Sequence, residues 1–227
     1  MKIGIVMPIY NRKELLARAL TSIKNQSFFK NDKNTYTVYL VDNCSTENLR
    51  EVTKHFNFIK HLYCPYKGNI PAATNLALIE IFRDNDVDYI AHLDSDDEWT
   101  EDKLKNQISY MLNHPQLDIC GTGLKYKNPE TLRWCDIINT EFDEDIKNLI
   151  QNDKIPLCHG SCIFKPEVYL QVGFYSTDNW RAHDKEFWPR ALKYCILGNV
   201  PEILYNYYTS EKTFWEWCDF NCCKAKT

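Results

Sequence analysis

The chain has 227 residues, 44% of them hydrophobic and 14% aromatic, with a formal net charge of −4. That is enough apolar material for one sizeable core and too much for a disordered chain. The acidic balance argues against a nucleic-acid partner, and neither a signal peptide nor a run of about 18 apolar residues offers a way into a membrane.

In chain order, residues 3–7 predict a buried strand and Pro8 to Asn11 a turn. The helix that follows carries Leu15, Leu16, Ala19, Leu20 and Ile23 on one face. Residues 36–41 predict a second strand, and Ser45 is placed to cap a helix through Val52. Residues 58–63 predict a third strand, and residues 71–83 a helix with Pro71 in its first turn. Residues 89–93 predict a fourth strand. Thr100 is then placed to cap a helix bearing Leu104, Ile108, Met111 and Leu112, with Glu101 and Asp102 near its positive end. Four strand–helix repeats predict right-handed crossovers and an α/β fold, with a mostly parallel central sheet flanked by helices.

Beyond Pro115 the rhythm changes. Residues 120–123 and 128–129 read as turns, 142–150 as a short acidic helix and 161–164 as a strand. Residues 166–172 and 186–194 read as helices, and 203–208 as a late strand. No linker or repeat interrupts residues 1–210, which therefore predict one domain. Residues 211–227 hold Phe214, Trp215, Trp217 and Phe220 along with three cysteines, which suits a docked helix, an interaction surface or contact with a downstream domain. The ten cysteines include no Cys-x-x-Cys; Cys158 and Cys162, and Cys218 with Cys222 and Cys223, are the tightest groups. Without paired two-residue spacings the better reading is reduced thiols in a soluble cytoplasmic protein, with room for peripheral attachment to a membrane.

Ligands of such sheets bind beyond the carboxyl ends of the strands. That rule selects Pro8-Ile9-Tyr10-Asn11, Asp42-Asn43 and Asp94-Ser95-Asp96-Asp97. Three carboxylates in four residues repel one another and resist desolvation unless a cation is present. A solvated turn that caps the next helix accounts for Asp97 better than for Asp94 or Asp96. An EF-hand loop fits Asp94, Asp96 and Glu98, then fails where Trp99 and Lys105 replace its Gly and Glu. A divalent metal bridging the phosphates of a nucleotide fits best. Asp42 could accept hydrogen bonds from a ribose or base, or be a simple turn residue. Tyr10 could stack on a base, or merely pack. No Walker or Gly-x-Gly-x-x-Gly loop is present, which argues against kinases and dehydrogenases.

The segments Ile5 to Arg12, Val41 to Ser45 and Leu93 to Trp99 together resemble GT-A glycosyltransferases, most closely the inverting enzymes of family 2. The resemblance spans residues 3–208. It implies a GT-A fold with a nucleotide-sugar-binding half (1–115) and an acceptor-binding half (116–210). It further implies a metal-dependent enzyme using a nucleotide-diphosphate sugar, with a UDP-sugar favoured, and a glycan or glycoprotein acceptor. Pro8, Tyr10 and Asn11 would line the nucleotide pocket, and Asp42 would contact base or ribose. Asp94 and Ser95 would face the donor, and Asp96, with Asp94 beside it, would hold Mn2+ or Mg2+. Residues 68–75 resemble the family's Gly-x-x-x-Ala-Arg-Asn segment, with Thr74 where Arg is usual and Asn75 kept as a donor contact. Residues 181–188 resemble its Glu-Asp motif, with His183 in place of Glu and Asp184 as general base. Taken alone, Asp184 could equally be an N-cap. His159, Trp180, Arg181 and His183 would serve the acceptor. Tyr205 to Tyr208 falls where many relatives carry a metal-ligating His, and none stands here. A nucleotidyltransferase that forms sugar nucleotides, or a non-catalytic nucleotide-sugar-binding module, would share much of this pattern.

Overall fold

Alternation along β1 (Lys2–Ile9) sends Ile3, Ile5 and Met7 into one apolar layer and Val6 into another, the signature of a strand buried on both faces. The computed structural model describes residues 1–84, 87–127, 134–154, 156–178 and 183–208. Trp180, Arg181 and the aromatic segment 211–227 lie outside the described residues. β1 pairs in parallel with β2 (Thr35–Asp42) and β4 (Tyr89–His92), and β2 pairs in parallel with β3 (Ile59–Tyr63). Between these strands run α1 (Lys13–Lys24), a short α2 (Arg50–Thr53) and α3 (Ile70–Arg83).

The order across the sheet is β3-β2-β1-β4-β8-β6-β9-β5, with β7 pairing the stretch of β6 that β8 leaves free. Here β5 is Glu98–Trp99, β6 Ile119–Lys127, β7 Trp134–Ile137, β8 Ile163–Phe164 and β9 Leu197–Tyr208. The sheet is more mixed than the repeats predicted. β8 runs against both β4 and β6, β5 against β9, and β7 against β6. All three reversed strands are short, and β1 to β4, β6 and β9 share one direction. α4 (Lys103–Asn113) follows β5, while α5 (Asp143–Gln151), α6 (Glu167–Val172) and α7 (His183–Ala191) belong to the second half.

Leu16, Leu20 and Ile23 of α1 and Leu104, Ile108 and Met111 of α4 pack on one face of the sheet. Ala73, Ala77 and Ile81 of α3, with Val168 of α6 and Phe187 and Trp188 of α7, pack on the other. Leu112 leaves its predicted face and is exposed.

Four local readings are corrected. Residues 120–123 are buried strand, not turn: a Cβ on Gly121 would lie 2.3 Å from Asn199 Oδ1, and one on Gly123 2.8 Å from the Glu202 carbonyl. The glycines let β9 approach where the β6–β9 register shifts around Gly123. β9 begins at Leu197 rather than 203, its pattern broken by exposed Pro201 and Glu202. Ser45 caps no helix. Thr100 gives its hydroxyl to the Leu204 carbonyl (3.2 Å), and α4 starts at Lys103 without a side-chain cap. The cap at Asn69 of α3 is a true one, accepting from Ala72 N at 3.0 Å.

Candidate active site

The loops after β1 and β2 are laced together. Asn11 (φ 57°) and Arg12 (φ 63°) both adopt left-handed backbone, which turns the chain sharply off β1. Asn11 N–H donates to Ser45 Oγ at 2.8 Å, and Asn11 Oδ1 accepts from Thr46 N at 2.9 Å. Ser45 N–H donates to Asp42 Oδ1 at 2.8 Å, so the Asp42 side chain holds the turn that follows β2. Half-buried Pro8 pairs with Val41 in the β1–β2 ladder. Tyr10 is half-buried, with Lys67 Nζ 5.7 Å from its ring centre.

The acid loop leaves β4 in a tight turn in which Asp97 N–H donates to the Asp94 carbonyl at 3.1 Å. Its three carboxylates have three different environments. Asp97 is buried, accepting from Tyr205 Oη at 2.6 Å and from Tyr208 N at 2.8 Å. It ties the loop to β9 and caps nothing. Burial, with Asp94 nearby, holds Asp97 well above the ordinary carboxylate range.

Asp94 is half-buried, and among the described residues its carboxylate accepts no hydrogen bond. Burial raises its pKa and Asp184 adds to the rise, while His183 and Arg12 pull the other way. A Cβ on Gly160 would lie 3.0 Å from Asp94 Oδ2 and 2.2 Å from Tyr205 Oη, so only glycine lets the chain pass here. The Asp96 carboxylate pairs with Arg12 Nη1, and its backbone carbonyl accepts from Arg18 Nη2. Arg18 itself lies 3.5 Å over the Tyr208 ring. Ser95 is buried between Asp94 and Asp96. Among the described residues, no group of three or more His, Cys, Asp or Glu could by itself hold a metal.

From the second half come His183 and Asp184, the first two residues of α7. Asp184 lies within the first turn rather than capping it, and its Oδ1 accepts from Lys185 N at 2.9 Å. The His183 ring stands 5.3 Å from that of His159 and 5.5 Å from that of Tyr175. Behind them runs a hydrogen-bond chain: His159 Nε2 to Tyr175 Oη (2.6 Å), on to Tyr169 Oη (3.2 Å), and on to His92 Nε2 (2.7 Å). Two hydroxyl protons serve two of the three bonds, so one imidazole must donate through Nε2 and the other accept. Burial depresses both, His92 to about 3 and His159 well below its usual value, which keeps the rings neutral at pH 7.

Asn75 also lies in this region, but its amide is committed: Nδ2 donates to the Tyr175 carbonyl at 2.8 Å, and Oδ1 accepts from Tyr175 N at 3.0 Å. Asn69 Nδ2 adds a bond to the Thr177 carbonyl at 3.2 Å.

The fold thus brings Asp94, His183 and Asp184 within electrostatic reach of one another, with Arg12 and Asp96 beside them. Sequence reasoning missed His92, Tyr169, Tyr175, Tyr205 and Arg18. Only His92 left a signal, an ionisable residue inside an apolar strand.

Residues 4–172 match the sequence profile described as Glycosyl transferase family 2, and the chain belongs to that family. EpsE of Bacillus subtilis (strain 168) is 26% identical over 212 residues, covering 90% of this chain and 72% of EpsE. Among solved structures, Staphylococcus aureus TarS 1–349 in complex with UDP-GlcNAc superposes with a TM-score of 0.72 at 19% identity, covering 93% of this chain and 59% of that one. The mannosyltransferase PcManGT of Pyrobaculum calidifontis, in complex with GDP-Man and Mn2+, superposes at 0.66 and 17% identity, covering 95% and 59%. The fold is therefore shared with GT-A enzymes that bind nucleotide sugars. The chain spans about two fifths of several further relatives. Among the described residues, no helix is long and apolar enough to cross a membrane.

Proposed function

We propose that this protein transfers a sugar, with inversion, from a nucleotide-diphosphate sugar to a hydroxyl of a glycan or glycoconjugate, with Asp184 as general base. The observation that carries the reading is the meeting of the acid loop with His183 and Asp184, which arrive from opposite halves of the sheet and perturb the same Asp94. The UDP-GlcNAc complex of TarS favours a UDP-sugar as donor. Pro8, Tyr10, Asn11 and Asp42 form the nucleotide side, and Asp94 and Ser95 face the sugar. Asn75 works from behind as a strut for residue 175. His159 and His183 line the acceptor side.

Asp96 and Asp94 would hold Mn2+ or Mg2+. The fit is supported by a hard oxygen donor set, by an Asp94 carboxylate without a hydrogen-bond partner among the described residues, and by the cationic guanidinium already seated on Asp96. Such ions take one or two carboxylates and complete their shell with phosphates and water, so two aspartates suffice. The ion would supply charge neutralisation for the departing diphosphate. Asp184 takes the acceptor's proton as its oxygen attacks the anomeric carbon from the face opposite the diphosphate. His159, kept neutral by burial, and His183 place hydrogen-bonding edges beside that path.

The test is donor hydrolysis and transfer measured with a panel of UDP- and GDP-sugars and Mn2+, for wild type and Asp184→Asn. The variant should bind UDP as the wild type does and lose about 10²- to 10⁴-fold in turnover. Turnover close to wild type would refute the base assignment. Release of pyrophosphate from nucleoside triphosphate and sugar phosphate would instead mark a nucleotidyltransferase.

A further inference from the structure

We propose that Arg12 is a built-in counter-cation, occupying Asp96 in the donor-free protein and surrendering it to the divalent ion when the donor binds. This rests on the reading of Asp96 as a metal ligand and adds a residue that governs access to it.

Four observations converge. Arg12 Nη1 pairs with Asp96 Oδ2, so a positive charge already sits where the cation is expected. Second, the Arg12 side chain is 56% exposed and that of Asp96 20%, so the pair is open to water and cheap to separate. Third, the remainder of the loop has other anchors: Arg18 on the Asp96 carbonyl, and Tyr205 and Tyr208 on Asp97. The Asp96 carboxylate can change partners while its backbone stays fixed. Fourth, the left-handed conformations at Asn11 and Arg12 are sparsely populated for residues other than glycine. They are held by the bonds from Asn11 to Ser45 and Thr46. That kink directs Arg12 across to the acid loop rather than along α1.

A monovalent, exposed and flexible partner suits a site that must be neutral when empty and available when filled. A buried or bidentate arginine would compete too well with a divalent ion; no cation at all would leave Asp94 and Asp96 repelling each other.

The experiment is Mn2+ titration, read from the EPR signal of the free aquo ion, with and without UDP. It uses wild type, Arg12→Gln, Arg12→Lys, Asp96→Asn and the Arg12→Gln/Asp96→Asn double variant, each checked for folding by circular dichroism. Arg12→Gln should bind Mn2+ about fivefold more tightly than wild type, the equivalent of about 1 kcal/mol. Arg12→Lys should fall between, and both variants lacking Asp96 should lose the gain. Equal or weaker binding by Arg12→Gln would overturn the exchange while leaving Asp96 as a ligand. No Mn2+ uptake by wild type or Arg12→Gln, even with UDP, would overturn the metal reading and the exchange with it. Independently of any variant, NMR of the arginine Nε–H groups should show the Arg12 signal shifting when Mg2+ and UDP are added while that of Arg18 stays; an unmoved Arg12 signal would also overturn the proposal.

Discussion

The two halves of the sheet hold their polar groups in place by opposite means. After β1 and β2, Asn11, Asp42, Ser45 and Thr46 fix one another through hydrogen bonds between half-exposed or exposed loops. Where β4 meets the second half, His92, Tyr169 and Tyr175 are buried and His159 is half-buried, fixed by ring packing and a chain of hydrogen bonds. Water can replace a lost bond in the first arrangement but not in the second, where an orphaned polar atom carries its full desolvation cost. The lacing after β1 and β2 therefore tolerates exchange among small polar residues, and the buried tyrosine–histidine chain does not.

The largest expected effect sharpens where the two arrangements meet. Asp96→Ala should lower Mn2+-supported donor turnover by about 10²- to 10³-fold with little change in melting temperature. A large stability loss would mean that Asp96 belongs to the scaffold, as Asp97 does.

Next comes a buried charge in the core, at the start of α4. Lys103 is fully buried, its Nζ has no hydrogen-bond partner among the described residues and lies 4.1 Å from the Trp99 ring centre, and burial draws its pKa down to about 7. An unfolded lysine titrates near 10.4, so between about pH 7 and 10 the unfolded chain binds a proton that the folded chain does not, and stability rises with pH. Below about pH 7 both states are protonated and the whole burial cost is present. Lys103→Met should therefore be more stable than wild type by about 1–4 kcal/mol near pH 6.5, with the margin shrinking toward pH 9.5, as read by urea unfolding. A margin independent of pH would contradict the shifted lysine.

The smallest pair of effects is the direct comparison. Tyr175→Phe strips the hydroxyl between His159 and Tyr169 and should cost about 1–3 kcal/mol, while Thr46→Val on the exposed lacing should cost about 1 kcal/mol or less. Equal losses in thermal or chemical unfolding would break the distinction between the halves.

The first half was legible because its elements obey simple periods. Ile3, Ile5 and Met7 alternate, the α1 apolar stripe recurs at helical spacing, and Pro71 announces the start of α3. The acid loop stood out because three neighbouring carboxylates make no sense without a countercharge. β6 was hidden because Gly121 and Gly123, which look like turn residues, exist to admit Asn199 and Glu202 from a strand about 80 positions away. Ser45 and Thr100 misled as caps because a hydroxyl serves any nearby backbone group equally well. The tyrosine–histidine chain was invisible for a related reason. Tyr169 and Tyr175 lie on different elements from His92, and only the folded sheet makes them neighbours. Arg12 stood inside a quoted motif, yet its partner is 84 positions away.

Asn75 and Asn69 reach from α3 to residues 175 and 177, the stretch of chain that leads toward α7. Asn75 imitates a rung of a β-ladder, giving and taking one bond with the backbone of a single residue. The consequence is mechanical. α3 splints the chain at residues 175 and 177, ahead of the helix that carries Asp184. The spacing between two bound substrates would then be a property of the frame itself, set before either one arrives.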